Sequence, residues 1–396
     1  MVAATSLITL CLAATATARK CRDIVVPVQI SARNGVFDVA PPATNIEATD
    51  FILDNLRQGH DYANETLTGY RTVSGTYKLQ TTYCEPDSGP SGTVQLLTHG
   101  IAFDRTYWDF PAHDHNYSYT AVAVDEYRYS TLAWDRLGIG MSQHGEPVNE
   151  IQSTLEIAAL KAVTLMLRHG QIPGVGCAFS KVVHVGHSFG SIQSYSLTVT
   201  DPELSDGLVL TGFSQDPRFL PYFGYGGNFV VANTIPALSQ YPAGYLAGGD
   251  VSAAQTNFFA PGEFDPDILN VAASTSQPVT VGEMLTIGGS TALVNHFEGP
   301  VLIITGERDV PFCGGDCYNS GMPGVASILD ESAGMFPNVT KFETCVVPKA
   351  GHGLNFVRCT YTILFMGIEA NSRQEYSHPL TYNTINTFLK QNGLLP

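Results

Sequence analysis

A serine stands between two glycines in the pentapeptide Gly186-His187-Ser188-Phe189-Gly190. Residues 181–185 before it form a run rich in valine that is typical of a strand, and residues 191–195 after it can begin a helix. A tight strand–turn–helix connection leaves no space for side chains at its two glycines and presents the residue at its apex. The pattern predicts a nucleophile elbow with Ser188 as the nucleophile.

An acid and a histidine follow Ser188 in the chain, each directly after a predicted strand. A serine hydroxyl is a weak nucleophile, so a base must take its proton and a third group must orient that base. Asp309 follows the buried-strand pattern of residues 300–305, and His352 lies between two glycines after the strand pattern of residues 342–348. We predict His352 as the base and Asp309 as the orienting acid. Other carboxylates stay open as alternatives for the acid: Glu307, Asp316 and Asp216.

Backbone N–H groups that could stabilise an oxyanion are expected at two positions. Acyl transfer places negative charge on the carbonyl oxygen, and two N–H groups aimed at that oxygen stabilise it. One is predicted from Phe189, directly after the nucleophile, and the other from Ile101, in the loop after the predicted strand 93–98. His99, in the same loop, is interpreted as a packing residue rather than as a second base.

Taken together, these segments resemble the α/β-hydrolase superfamily. The segments that carry the resemblance are His99-Gly100, the elbow, Gly306-x-x-Asp309, Gly351-His352 and the D-x-x-G-x-G-x-S stretch Asp135-Arg136-Leu137-Gly138-Ile139-Gly140-Met141-Ser142. The resemblance covers roughly residues 90–390. It implies an α/β fold with a mostly parallel central sheet, helices on both faces and an inserted cap. The chain also resembles secreted fungal serine hydrolases of the esterase and lipase type in its general character. Serine at position 188 argues against the epoxide hydrolases and haloalkane dehalogenases of the superfamily, which use an aspartate nucleophile.

The composition limits the partners of the protein. The chain has 396 residues, 44% of them hydrophobic, and a formal net charge of −16. Nucleic acid is excluded as a partner because phosphates must be met by Lys and Arg. We expect a small hydrophobic ester as the substrate, with no cofactor and no metal, since Cys313-Gly-Gly-Asp-Cys317 lacks a matching ligand pair. The oligomeric state stays open.

The amino terminus predicts export from the cell. Residues 2–14 are apolar and uncharged, and Ala16-Thr17-Ala18 is an A-x-A cleavage signal, so residues 1–18 are interpreted as a signal peptide. The apolar run is too short to span a bilayer, and no hydrophobic tail for a lipid anchor stands at the carboxyl end. We therefore expect a soluble, secreted protein without a membrane anchor. Three N-glycosylation sequons begin at Asn64, Asn116 and Asn338.

The cysteines are expected to form disulfides in an oxidising compartment. Of eight cysteines, Cys11 leaves with the signal peptide and seven remain. We predict three pairs and one free thiol. The pairs are Cys21–Cys84, Cys313–Cys317 and Cys345–Cys359, and the free thiol is Cys177.

Periodicity predicts one domain, residues 19–396, with a cap inserted at about 213–297. Residues 24–30 and 72–80 are predicted to be antiparallel opening strands, and strands and helices alternate after residue 93. Residues 150–168 are the clearest helix. Its predicted core-facing stripe is Leu155, Ala158, Ala159, Ala162, Leu165 and Met166. The alternation stops at the cap, which is rich in Gly, Pro and aromatic residues.

The leading hypothesis is a secreted serine hydrolase that cleaves a carboxylic ester with a hydrophobic part through an acyl-enzyme. The same three residues could instead serve amide or peptide hydrolysis, acyl transfer, lactone formation or carbon–carbon bond cleavage, because fold alone does not separate these reactions. A peptidase that holds a substrate amine would need a carboxylate cluster, and the cap shows no clear one. A non-catalytic binding scaffold is the remaining alternative.

Overall fold

The computed structural model describes residues 19–356 and 378–396, and its centre is a sheet of eight strands. The strands are β1 (Lys20–Phe37), β2 (Leu67–Glu85), β3 (Thr93–Thr98), β4 (Ser130–Trp134), β5 (Lys181–His187), β6 (Gly207–Thr211), β7 (Pro300–Gly306) and β8 (Lys341–Val347). Their order across the sheet is β1-β2-β4-β3-β5-β6-β7-β8. β2 is antiparallel to both of its neighbours, β1 and β4, whereas the pairs from β4 to β8 are all parallel. The predicted mostly parallel sheet is confirmed.

Seven α-helices of seven or more residues belong to the described part of the chain, which also contains an eight-residue 3-10 helix, Ile328–Met335. The α-helices are α1 (Asn45–Asn55), α2 (Ser153–His169), α3 (Phe189–Thr200), α4 (Leu220–Gly226), α5 (Val251–Phe258), α6 (Pro266–Ser274) and α7 (His378–Gln391). The central strands are buried on both faces. Val94 and Leu96 of β3 pack in one core with α2, and Leu97 packs in a second core with α7. Because side chains alternate along a strand, these cores lie on opposite faces of the sheet. The prediction of helices on both faces is confirmed.

The predicted helix at 150–168 forms as α2, but its buried face differs from the predicted stripe. The buried residues include Leu160, Val163 and Leu167, whereas Ala158 and Leu165 are only partly buried. Glu156 is also fully buried. Two members of the predicted stripe, Leu155 and Ala159, are buried, and the other four are only partly buried at the edge of the core. The prediction is therefore confirmed in part, and it missed the buried residues Leu160, Val163 and Leu167.

The two opening strands form a long antiparallel hairpin, as predicted. Cys21 lies directly opposite Cys84 in this pairing, and the two form a disulfide. A second disulfide joins Cys313 to Cys317. Both predicted pairs are confirmed.

The remaining cysteine predictions are answered in part. Cys177 forms no disulfide within residues 19–356 and 378–396, in agreement with the predicted free thiol. Cys359 lies outside the described residues, so the pair Cys345–Cys359 stays a prediction.

The segment 213–297 runs between β6 and β7 and contains α4, α5 and α6. It also contains a small antiparallel sheet of Phe229–Val231, Tyr245–Gly248 and Val279–Thr280. The segment is joined to the loop after β3 where Gln277 N donates to the carbonyl of Ala102 at 3.0 Å. It therefore packs next to the carboxyl ends of the parallel strands.

Several predictions concern the outside of the molecule. No helix in the described ranges is long and apolar enough to cross a membrane. The predicted signal peptide, residues 1–18, lies outside the described residues. Asn64, Asn116 and Asn338 are all exposed, and their glycosylation stays a prediction.

His184 of β5 gives a testable pH dependence of stability. Its ring is fully buried between the hydroxyls of Thr164 and Ser205, each 2.9 Å away, and burial lowers its pKa to about 3. The unfolded chain takes up a proton at this ring below about pH 6.5 while the folded chain does not. The free energy of unfolding should therefore fall by about 1.4 kcal/mol per pH unit from this group as the pH drops from about 6 to about 5.

Urea unfolding of the wild type and of His184→Gln over this pH range measures the effect. The wild-type slope should be the steeper by about 1.4 kcal/mol per pH unit. Parallel curves for the two proteins would contradict the assignment of a neutral, buried His184.

Candidate active site

Ser188 occupies a sharp turn between β5 and α3. Its backbone has φ 54° and ψ −118°, a conformation that L-residues rarely adopt. A Cβ on Gly186 would lie 2.4 Å from the carbonyl oxygen of Gly190, and one on Gly190 would lie 2.2 Å from that of Thr98. Only glycine fits at both positions, so the sequence pattern and the geometry of the turn have the same steric cause. The side chain of Ser188 is part exposed, whereas His187 and Phe189 are buried.

Asp309 and His352 form a buried pair. His352 Nδ1 lies 2.7 Å from Asp309 Oδ2, and both side chains are fully buried. The carboxylate also accepts hydrogen bonds from the Thr305 hydroxyl and, at 2.8 Å, from the backbone N–H of Phe312. These bonds fix the carboxylate, which in turn fixes the ring of His352. His352 Nε2 is buried and has no hydrogen-bond partner among the described residues.

The loops after β7 and β8 approach each other closely, which brings Asp309 and His352 together. A Cβ on Gly306 would lie 2.2 Å from the carbonyl oxygen of Gly351. Arg308 N donates to the carbonyl of Ala350 at 2.8 Å. The Cys313–Cys317 disulfide closes the loop that follows Asp309, where Cys317 N donates to the carbonyl of Glu307 at 2.9 Å.

The ring of His352 lies next to the elbow. Its centroid is 4.8 Å from that of His187, the residue before Ser188. A Cβ on Gly212 would lie 2.8 Å from His352 Cε1 and 2.7 Å from His187 Cε1. The absence of a side chain at Gly212 therefore leaves the space that both rings occupy. Phe312 packs nearly parallel to His352, at 5.5 Å and 17°, and lines a small cavity together with Ser188. The three sequence-predicted residues therefore converge at the carboxyl edge of the sheet.

The alternative acids point to other partners. Glu307 accepts a hydrogen bond from Lys349 N at 2.8 Å, and Asp316 accepts one from Tyr318 N at 3.1 Å. Asp216 forms an ion pair with Arg218. None of the three has a hydrogen bond to His352 within the described ranges, so the geometry favours Asp309.

The loop after β3 closes the site on the side of the predicted oxyanion donors. A Cβ on Gly100 would lie 2.8 Å from Ser188 Cβ, so the loop backbone passes directly over the nucleophile. The N–H groups of Phe189 and Ile101 donate no hydrogen bond to another residue in the described part of the chain. Both residues line the small cavity that contains Ser188. Their N–H groups are therefore available to bind a ligand in this cavity.

His99 packs inside this loop. Its Nε2 accepts a hydrogen bond from Arg136 N at 2.9 Å, and its Nδ1 lies 2.8 Å from the carbonyl of Gly100. Burial, followed by the charge of Arg136, lowers the pKa of His99 well below 6.5. A neutral, fully hydrogen-bonded ring agrees with the prediction of a packing residue.

Sequence reasoning missed the part played by His187. Its ring stacks on Tyr107 at 4.4 Å and 17°, and burial lowers its pKa well below 6.5. Its Nδ1 lies 3.1 Å from the Thr211 hydroxyl, and neither ring nitrogen bonds to a carboxylate of residues 19–356 or 378–396 that could orient it as a base. The neighbouring histidine therefore forms an uncharged wall beside His352. Its position within the elbow was the only feature of the sequence that could have indicated this role.

A buried charge cluster behind the elbow was also missed. Arg136 is fully buried and pairs with Glu156 of α2 and with Glu283 of the 213–297 segment. Its guanidinium lies 4.8 Å from the centre of the Phe189 ring. Burial raises the pKa of Glu156 well above 4.5. The cluster ties α2 and the 213–297 segment to the residue that follows Ser188.

Comparisons with known proteins agree with this architecture. No protein-family model matches the chain, and no curated protein matches it at a significant level. An esterase from Thermogutta terrifontis, solved with malate bound, is similar over 80% of this chain and 94% of its own, with 15% identity and a TM-score of 0.50. An α/β-hydrolase fold protein from Chitinophaga pinensis covers 78% and 94%, with 15% identity and a TM-score of 0.48. An epoxide hydrolase from Vigna radiata covers 80% and 95%, with 16% identity and a TM-score of 0.46.

The strand order and the structural similarity to the esterase together establish the fold of the protein. The chain has the α/β-hydrolase fold. The fold predicted from the motifs is confirmed, whereas the reaction and the substrate have to be argued from the site itself.

Proposed function

We propose that this protein is a serine hydrolase that cleaves carboxylic esters with a hydrophobic part. The observation that carries the proposal is the buried Asp309–His352 pair, whose second ring nitrogen is unpartnered within the described residues and lies next to the strained turn of Ser188. A serine at the apex of a turn, a histidine base and an acid that orients the base are the three groups that acyl transfer needs.

In the proposed reaction, His352 Nε2 takes the proton of the Ser188 hydroxyl as its oxygen attacks the ester carbonyl. The N–H groups of Phe189 and Ile101 stabilise the oxyanion of the tetrahedral intermediate. His352 then gives the proton to the leaving alcohol, and an acyl-enzyme remains on Ser188. A water molecule, deprotonated by His352, hydrolyses this acyl-enzyme, and Asp309 holds the ring in one tautomer throughout.

The surroundings of Ser188 support a hydrophobic substrate. The small cavity that contains it has walls that include Ile101, Phe189, Ile192, Leu220, Phe223 and Phe312. Two of these, Leu220 and Phe223, belong to α4 in the 213–297 segment. We infer that this segment acts as the cap of the site, since it supplies apolar walls that exclude water.

We further propose that the protein is secreted. Two disulfides, Cys21–Cys84 and Cys313–Cys317, are compatible with an oxidising compartment. The apolar residues 2–14 and the A-x-A signal before residue 19 support the same proposal.

Pre-steady-state kinetics tests the reaction. Mixed with excess nitrophenyl acetate, the enzyme should release a burst of about one nitrophenol per molecule, because an activated nitrophenyl ester acylates the serine faster than water hydrolyses the acyl-enzyme. Nitroacetanilide, the matched amide, should be cleaved far more slowly. Absence of turnover of any ester by the folded protein, or faster cleavage of the anilide, would contradict the proposal.

A further inference from the structure

Two cavities of very different size lie near His352, and each is lined by a phenylalanine that packs on its ring: Phe312 in one and Phe258 in the other. The first, called the recess, contains Ser188 and has a volume of about 10 Å³. The second, called the large cavity, lies within the 213–297 segment and the loop after β3 and has a volume of about 310 Å³. Phe223 lines both, so this ring forms the wall between them.

The recess limits the group that remains attached to Ser188. A volume of about 10 Å³ accommodates about one water-sized group. Both predicted oxyanion donors, Ile101 and Phe189, line it, so the carbonyl carbon of a substrate must lie at its mouth. In an acyl-enzyme the acyl group is covalently bound at this point. Only a short acyl group fits without movement of the walls.

The large cavity lies on the path of the leaving group. The leaving oxygen receives its proton from His352, so the alcohol must extend past that ring. Phe258 packs nearly parallel to His352, at 5.9 Å and 26°, and its ring also lines the large cavity. Ala102, directly after Ile101, lines the cavity as well. One side chain, Phe258, therefore separates the large cavity from the ring of His352.

The lining of the large cavity is mostly apolar. Phe223, Phe229 and Phe258 supply aromatic walls, and its volume reaches the lower end of the range for sites that bind small molecules, about 300 to 1,000 Å³. Asp250 is its one charged lining residue in the described chain. This carboxylate accepts hydrogen bonds from the Ser252 hydroxyl and from Ala253 N, which lower its pKa. A negative charge at this position disfavours an anionic ligand.

From this geometry we propose that the substrate is an ester of a short acyl group, of about the size of acetyl, with a bulky and uncharged hydrophobic alcohol. The acyl group lies in the recess and the alcohol in the large cavity. The inference rests on the proposed serine hydrolase function and deepens it by assigning each side of the ester bond to its own cavity.

A pair of isomeric esters tests the assignment. Naphthylmethyl acetate and methyl naphthylacetate contain the same atoms and differ only in the direction of the ester bond. The kcat/KM of the first should exceed that of the second at least about tenfold, since a misplaced bulky group costs discrimination of this order. In nitrophenyl esters, kcat/KM should fall at least about tenfold from acetate to octanoate. Equal cleavage of the isomers, or preference for methyl naphthylacetate, would overturn the inference.

Two variants change the cavities separately. Ala254→Phe places a ring into the large cavity and should lower the preference for naphthylmethyl acetate over its isomer about tenfold. Ile287→Ala widens the recess and should raise octanoate turnover relative to acetate about tenfold. Ala333→Phe, at an exposed position away from both cavities, is the matched control and should leave both ratios unchanged. Melting temperatures identify a variant that fails to fold. In that case the remaining variant alone tests the cavity assignment.

Failure of this inference is distinguishable from failure of the proposed function. If nitrophenyl acetate is cleaved in a Ser188-dependent reaction and the reversed ester is preferred, the function stands and the cavity assignment is wrong. If the folded protein cleaves neither isomer and no nitrophenyl ester, both are wrong.

Discussion

Ser188→Ala should lower kcat for nitrophenyl acetate by about 10⁴- to 10⁶-fold, because the variant lacks the oxygen that forms the acyl-enzyme. The side chain of Ser188 lies at the apex of the turn and is part exposed. The backbone N–H of Ser188, not its hydroxyl, donates to Thr211 O at 2.8 Å, so removal of the hydroxyl breaks no hydrogen bond of the turn to any described residue. The melting temperature should therefore change little while turnover is lost.

Ser194→Ala is the matched control for this variant. Ser194 is a buried serine on α3, the helix that follows Ser188, and its hydroxyl donates to the carbonyl of Gly190 at 2.8 Å. Its loss should leave kcat within a few-fold of the wild type. Turnover by Ser188→Ala at the wild-type rate would show that another group performs the reaction.

Asp309→Asn should lower kcat by about 10⁴-fold with little change in KM. The carboxylate accepts a hydrogen bond from His352 Nδ1, so it keeps the proton on that nitrogen and leaves Nε2 free as the base. An asparagine amide can donate to Nδ1 instead, which favours the tautomer whose Nε2 carries the proton and cannot take another. Steady-state kinetics on nitrophenyl acetate measures the loss.

Charge-neutralising variants at the alternative acids are the controls for this prediction. They are Glu307→Gln, Asp316→Asn and Asp216→Asn. Each should retain most of the wild-type kcat because none of these side chains has a hydrogen bond to the ring of His352 in the described structure. A larger loss from one of the three than from Asp309→Asn would reassign the acid.

The elbow could be predicted from sequence because its cause is local. Gly186 and Gly190 stand where a single Cβ would collide with backbone, and such a requirement leaves a direct trace in the residue types. Asp309 and His352 could be predicted because each follows a strand directly, and the ends of parallel strands meet at one edge of a sheet. The hydrogen bond between them is a tertiary contact, so sequence alone left four carboxylates open.

The rest of the site depends on packing that has no local signature. Glu156 and Arg136 lie in the core because they pair with each other and with Glu283, which is 147 residues from Arg136. An apolar count along α2 could not include Glu156 among the buried residues for this reason. Likewise, the opening strands were predicted at 24–30 and 72–80 but extend over Lys20–Phe37 and Leu67–Glu85. The added length comes from pairing between the two strands, since residues with weak strand preference join when a partner strand is present.

The size of the two cavities was not accessible to sequence reasoning either. The aromatic content of residues 213–297 indicated an apolar pocket, but it did not indicate that the space is divided into two cavities. The wall formed by Phe223 and the positive φ of Ala102, at 71°, are products of the tertiary structure. The acyl and alcohol sides of the substrate could therefore be assigned only with the structure.

Covalent labelling with a fluorophosphonate probe, followed by peptide mapping, tests the central claim most directly. Such a probe reacts with a serine only when a base and oxyanion donors activate it. The folded wild type should carry one adduct, on the peptide that contains Ser188, and Ser188→Ala should carry none. An adduct on a different residue, or an ester-cleaving enzyme that the probe leaves unmodified at position 188, would contradict the account.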